Sequence, residues 1–113
     1  MLCLGHIRAQ EQIFCEGYAT GLSIALAVRQ SNRDAAVLIC LSADNMVRVA
    51  PMVKGKAYCF ADNDKSGTGQ RAAEKMNTPF CMSPTEGFDA NDEHKKNGLL
   101  AVRKLLMGAR HRD

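Results

Sequence analysis

"CFADNDKSGTGQ", residues 59–70, is the stretch on which the fold turns. An apolar run, "KAYCFA" (56–61), stops at Asp62-Asn63-Asp64, and a turn containing Gly67 and Gly69 follows at once. Apolar run, acidic pair, glycine turn and then a helical pattern is the order expected where a buried strand feeds a helix. Two carboxylates one residue apart repel each other, so the pair either holds a cation or lies in a solvated turn.

Outward from this stretch the chain alternates. "QIFCEG" (12–17) is a short apolar run ending in Glu16 and Gly17, and "YATGLSIALAVRQ" (18–30) is apolar almost all round at helical spacing. "AAVLICLS" (35–42) is a continuous apolar run, and "DNMVRVAPMV" (44–53) reads as a short helix broken near Pro51. "GTGQRAAEKM" (67–76) is helical, "PFCMS" (79–83) is a fourth strand, and "DEHKKNGLLAVRKLLMG" (92–108) is a closing helix. That last helix puts Leu99, Val102, Leu105 and Leu106 on one face. Strand–helix alternation with strands too apolar for a wet face predicts an α/β fold. A roughly four-stranded, mostly parallel sheet is expected, with helices on both faces. Residues 84–91 form the longest irregular stretch.

Composition sets the outer bounds. The 113 residues suit one domain, and 46% hydrophobic with 24% charged residues is an ordinary globular mix. No apolar run approaches the ~18 residues of a membrane span. The opening "MLCLGHIRAQ" is too soon interrupted for a secretory signal, so a cytoplasmic protein is expected. The five cysteines, Cys3, Cys15, Cys40, Cys59 and Cys81, form no C-x-x-C pair, and four of them sit in apolar runs. They read as buried, reduced thiols, and neither zinc nor disulfides are expected. His6, His94 and His111 show no ligand spacing and read as surface residues.

In open α/β sheets, sites form outside the carboxyl ends of the strands. Glu16 ends the first predicted strand, Asp62 and Asp64 end the third, and Asp89 and Asp92 follow the fourth. If the first and third strands are neighbours, all five carboxylates converge on one edge. Without a cation such convergence costs several kcal/mol in repulsion and desolvation. Oxygen-only donors suit Mg²⁺ or Mn²⁺. Gly17 would let the chain turn after Glu16, and Ser66, Gly67 and Gly69 would open a helix whose N–H groups can face a phosphate. An EF-hand is disfavoured, because a strand precedes Asp62 and loop position twelve is Ala73. A haloacid-dehalogenase phosphatase is disfavoured too, because it wants the acidic pair on the first strand and a small residue at Lys65. A solvated acidic turn with helix caps is the plain alternative.

Three ordered motifs carry a resemblance to the Toprim domain, the fold shared by primases, topoisomerases and some nucleases. "FCEGYATGLSIALA" resembles the family's strand ending in Glu-Gly before a helix, and "CFADNDKSGTGQRAAEK" resembles its D-x-D motif. With "LSADNMVRVA" and "GFDANDEHKKNGLLAVRKLL", the chain is most similar to Toprim domains of phage- and plasmid-type primases. The similarity spans about residues 12–106, so residues 1–113 are read as a single Toprim domain. The resemblance implies that Glu16 is a general acid/base or metal-site residue, that Asp62 and Asp64 bind metal, and that Asp89 and Asp92 complete the acidic cluster. Replicative bacterial primases often carry an aspartate four residues after the glutamate, where this chain has Thr20. The chain shows no zinc ribbon, helicase or topoisomerase tyrosine context, and Tyr18 and Tyr58 read as packing residues. A fragment or a minimal stand-alone Toprim protein is therefore expected, with helicase or zinc-ribbon domains as possible neighbours in a parent protein.

The net charge is +3. Setting aside the five candidate acids leaves seven against fifteen Lys and Arg, a surplus of eight. Lys65, Arg71, Lys95, Lys96, Arg103, Lys104, Arg110 and Arg112 are candidate phosphate contacts, so nucleic acid and nucleoside triphosphates are the expected partners. Two function classes follow. One is metal-dependent nucleotidyl or phosphoryl transfer in DNA replication, as in primer synthesis, with a Toprim nuclease as its variant. The other is a non-catalytic module that binds nucleic acid or a partner.

Overall fold

The apolar runs pair with one another because neither of their faces can be left to water. The computed structural model describes residues 1–6, 8–53 and 55–110. Its sheet has five strands: β1 (Leu2–Leu4), β2 (Glu11–Cys15), β3 (Ala35–Ile39), β4 (Lys56–Phe60) and β5 (Phe80–Cys81). The spatial order is β1-β3-β2-β4-β5. The last four strands are mutually parallel, with Ile13 opposite both Val37 and Tyr58. The strand that ends at Glu16 and the strand that ends at Asp62 are therefore neighbours, as the acidic motifs required.

Five helices cover the sheet: α1 (Tyr18–Gln30), α2 (Ala43–Val49), α3 (Thr68–Met76), α4 (Ala90–Asn97) and α5 (Leu99–Arg110). Strand alternation divides the core in two. Ile13, Cys15, Val37, Ile39 and Phe60 pack with Ile24, Ala27 and Val28 of α1 and with Val102 and Leu106 of α5. Phe14, Leu38, Cys40, Cys59 and Ala61 face the other way, onto Met46 of α2 and Ala72 and Ala73 of α3. Each large side chain buried in these layers contributes about 1.5–3 kcal/mol.

Two elements depart from the sequence reading. β1 is an additional strand, antiparallel to β3 with Leu2 opposite Ile39. It is short and largely exposed, so no apolar periodicity announces it. The expected helix over 92–108 is two helices, because Gly98 sits at φ 86° and ψ 166°, outside the helical region. The break expected near Pro51 is present: the helix ends at Val49, and Ala50–Met52 continue as a single 3₁₀ turn with proline in its first turn.

Cys15, Cys40 and Cys59 are buried, Cys81 is half-buried and Cys3 is exposed, all as free thiols. Burial pushes the Cys40 thiol up to about 11 and raises Cys15 and Cys59 further. These three thiols stay protonated and act as small apolar side chains. Tyr58 is buried as expected, but Tyr18 is 54% exposed and is not a packing residue. His94 is half-buried, with Nδ1 3.1 Å from Ser23 Oγ across the α1–α4 contact, so it is not a plain surface histidine.

Candidate metal and nucleic-acid site

The strand ends bring the five acids to one edge. Glu16 follows β2, Asp62 and Asp64 follow β4, and Asp89 and Asp92 open α4 beyond β5. Burial first, then Glu16, Asp89, Asp64 and Asp92 in that order, push the Asp62 carboxyl up from 3.8 to about 6. Asp62 therefore feels every other member of the set. Burial and then Asp64 also raise Glu16 above its ordinary value. Asp62 Oδ1 is buried without a hydrogen-bond partner. A buried carboxylate oxygen facing only like charge is a costly arrangement, and a cation is the usual remedy.

The other acids are already engaged. Asp64 Oδ1 accepts from Ser66 Oγ at 2.9 Å and from the Thr68 N–H at 3.1 Å, closing the turn that starts α3. Asp89 and Asp92 form a reciprocal capping box. The Asp92 N–H donates to Asp89 Oδ1 at 2.9 Å, and the Asp89 N–H donates to Asp92 Oδ2 at 3.1 Å. Each keeps a second carboxylate oxygen outside the box. The helix-cap alternative thus describes one part of what these residues do.

The donor chemistry fits a hard divalent cation, since every side chain offers oxygen only and Asp62 Oδ1 has no other partner. Among the described residues no three acids, histidines or cysteines are gathered closely enough to form a finished metal cage. This edge supplies donors from three loops that would have to draw together around the ion.

Gly67 and Gly69 open α3 as expected, whereas Gly17 does not make the expected turn. Gly17 has ordinary extended backbone (φ −100°, ψ 156°) with open space at its Cβ position, so no sharp turn requires it. It starts α1 with no side-chain cap. Gly69 is buried in the first turn of α3, where an added Cβ would lie 2.8 Å from the Asp62 carbonyl oxygen and 3.1 Å from its nitrogen. It is the point at which helix and acidic strand end touch. Gly67 does sit in the left-handed region, at φ 73°. The Thr68 N–H that could meet a phosphate is taken by Asp64.

Of the basic candidates, Lys65 is exposed beside Asp64, and Arg71 folds back so that Nη1 donates to the Ser66 carbonyl at 2.8 Å. Lys96 places Nζ 5.6 Å from the centre of the Phe88 ring, next to Asp89. Arg103 Nη1 donates to Gln30 Oε1 on α1 at 3.2 Å. Lys95 and Lys104 are exposed. Lys104 shares a cavity of about 400 Å³ with Gln70, Phe80 and Met82, and none of the five acids lines it. Arg112, His111 and the side chain of Arg110 lie outside the described residues.

Two residues at this edge were not singled out by the sequence. Leu41 has φ 73° and is 58% exposed, and its N–H donates to the Glu16 carbonyl at 2.8 Å. A bulky residue held there costs about 1–3 kcal/mol, which the surrounding structure must offset. Asn63 hydrogen-bonds to the loop between β5 and α4 through both main chain and side chain. Neither role is local in sequence, so no motif marks it.

A mostly parallel α/β sheet with carboxylates gathered at its carboxyl edge is the arrangement in which open α/β domains place their sites. A family model for the Toprim domain matches residues 11–99, most of the chain, and the protein belongs to the Toprim family. Toprim domains bind Mg²⁺ and carry out metal-dependent nucleic-acid processing in enzymes such as primases and nucleases. No curated protein and no solved structure matches the chain. Among the described residues, no helix is long and apolar enough to cross a membrane.

Proposed function

We propose that this domain carries out metal-dependent nucleotidyl transfer in DNA replication, of the primer-synthesis type. The observation that carries the reading is the convergence on Asp62, whose carboxyl is raised by burial first and then by Glu16, Asp89, Asp64 and Asp92. In this reading Asp62, Asp64 and Asp89 hold Mg²⁺ or Mn²⁺, with Asp92 supporting Asp89 through the capping box. When bound, the cation would neutralise charge on the transferring phosphoryl group. Glu16, with its pKa raised, is suited to accept and return a proton at its carboxylate, or to orient the metal. Gly17, Ser66 and Gly67 would lie around the phosphates, with Lys65 and Arg71 beside them. Lys95, Lys96, Arg103 and Lys104 would hold the template backbone as point charges.

A non-catalytic nucleic-acid module is the second reading. In that reading the acids of the three loops, which form no closed cage among the described residues, would serve no reaction. One experiment addresses both. Mn²⁺ binding is followed by water-proton relaxation in wild type and Asp64→Asn, alongside primer synthesis and cleavage assays on single-stranded DNA with nucleoside triphosphates. Asparagine keeps an Oδ1 to cap α3 but loses the charge, so the fold should persist while Mn²⁺ binding is lost. Equal Mn²⁺ signals in the two proteins would remove the metal reading. Metal binding without synthesis or cleavage would favour the module.

A further inference from the structure

Asn63 lies between the two aspartates and is not a ligand in the reading above, yet it makes more contacts across this edge than either. Its N–H donates to the Phe88 carbonyl at 3.0 Å, and its own carbonyl accepts from the Gly87 N–H at 2.6 Å. Its side-chain Nδ2 donates to the Ser83 carbonyl at 2.8 Å. The loop between β5 and α4 is thus fastened to residue 63 at both of its ends. Ser83 is held at the start through the amide side chain, and Gly87 and Phe88 are held at the finish through main chain. Asp89 is the next residue.

The start of that loop is anchored from the other side as well. Ser83 is fully buried, and its Oγ donates to Glu93 Oε2 at 2.5 Å and accepts from the Thr85 N–H at 3.1 Å. Glu93 is itself buried, and its Oε1 accepts from Asn97 Nδ2 at 2.7 Å. A polar chain therefore runs from the D-x-D loop through Ser83 to α4, the helix whose first turn Asp89 caps. Buried networks of this kind hold geometry because each member left unpaired is penalised.

We infer that Asn63 is a positioning residue that fixes the separation between the Asp62–Asp64 loop and Asp89 for a bound divalent cation. The inference rests on the metal reading proposed above. The main-chain bonds would survive alanine or serine at 63, but neither side chain replaces the Nδ2 donor to the Ser83 carbonyl. Groups that orient metal ligands typically change metal affinity by about 10- to 100-fold when removed.

The test measures Mn²⁺ affinity by water-proton relaxation in wild type, Asn63→Ala, Asn63→Ser, Asp64→Asn and Ser31→Ala, with a thermal melt of each in chelator. Ser31→Ala is the stability control. It removes a 2.7 Å bond to the Ala27 carbonyl at the far end of α1, away from the acids. Asn63→Ala should weaken Mn²⁺ binding about tenfold, while Ser31→Ala should lower the melting temperature and leave affinity unchanged. If the alanine variant does not fold, Asn63→Ser carries the same expectation, since serine cannot reach the Ser83 carbonyl. Wild-type affinity in a folded Asn63 variant would overturn the inference and leave the metal reading intact. A wild type without Asp64-dependent Mn²⁺ binding would overturn both.

Discussion

β2 has a glutamate at each end, and the two are treated in opposite ways. Glu11, at the amino end, is buried, and its Oε1 lies 2.6 Å from Arg33 Nη2 in an ion pair. Glu16, just past the carboxyl end, has its pKa raised, by burial first and then by Asp64. The same residue type on the same strand is neutralised at one edge and frustrated at the other. Glu11 is buried and Glu16 only half-buried, yet it is the less buried of the two that meets like charge. Glu11 belongs to the structure, whereas Glu16 sits in an arrangement that stability alone would not build.

The largest expected effect breaks the paired end. Arg33→Ala leaves Glu11 buried beside an empty place, which should cost about 3–5 kcal/mol and lower the thermal midpoint sharply. A midpoint indistinguishable from wild type would dissolve the contrast. At the frustrated end the sign reverses. Glu16→Gln should melt at or above wild type, because one repelling charge has gone. In a primer-synthesis or cleavage assay its rate should nevertheless fall by roughly 10²-fold. Full activity in the folded variant would free Glu16 of any chemical role.

The smallest effect is a slope with pH. Asp62 titrates at about 6 in the fold against an ordinary 3.8. Between those values the unfolded chain gives up its proton first, so stability falls as pH rises. This contribution is fully present below 3.8 and gone above about 6. Melting in chelator across that range should show Asp62→Asn gaining on wild type as pH increases. Mn²⁺ affinity of the wild type should rise over the same window, because binding displaces the proton. Parallel pH profiles for the two proteins would mean that Asp62 is not repelled as described.

Much of this was legible because the code for it is local. α1 runs over Tyr18–Gln30 as its apolar spacing predicts, and the continuous runs at 35–42 and 56–61 contain the central strands β3 and β4. The acidic edge was legible one step further on, since parallel pairing of β2 with β4 is the order that joins Glu16 to the aspartates. What escaped depends on contacts between distant segments or on a single backbone angle. β1 is three residues long and gains its order from pairing with β3. Gly98 divides a helix whose apolar face hardly signals the break. The capping box at Asp89 and Asp92 was legible in part, since helix caps were the plain alternative for these acids and D-x-x-D has the spacing of such a box. Asn63 had no signal, because the loop it fastens lies some twenty residues further along the chain.

Gly69 has a consequence of another kind. Its missing side chain is what lets α3 rest against the main chain of Asp62. In a survey of every single substitution scored by activity, position 69 would be as intolerant as the aspartate itself. Its intolerance would come from lack of room, since even alanine must displace the backbone that carries the acid. Heredity would therefore see positions 62 and 69 as one character.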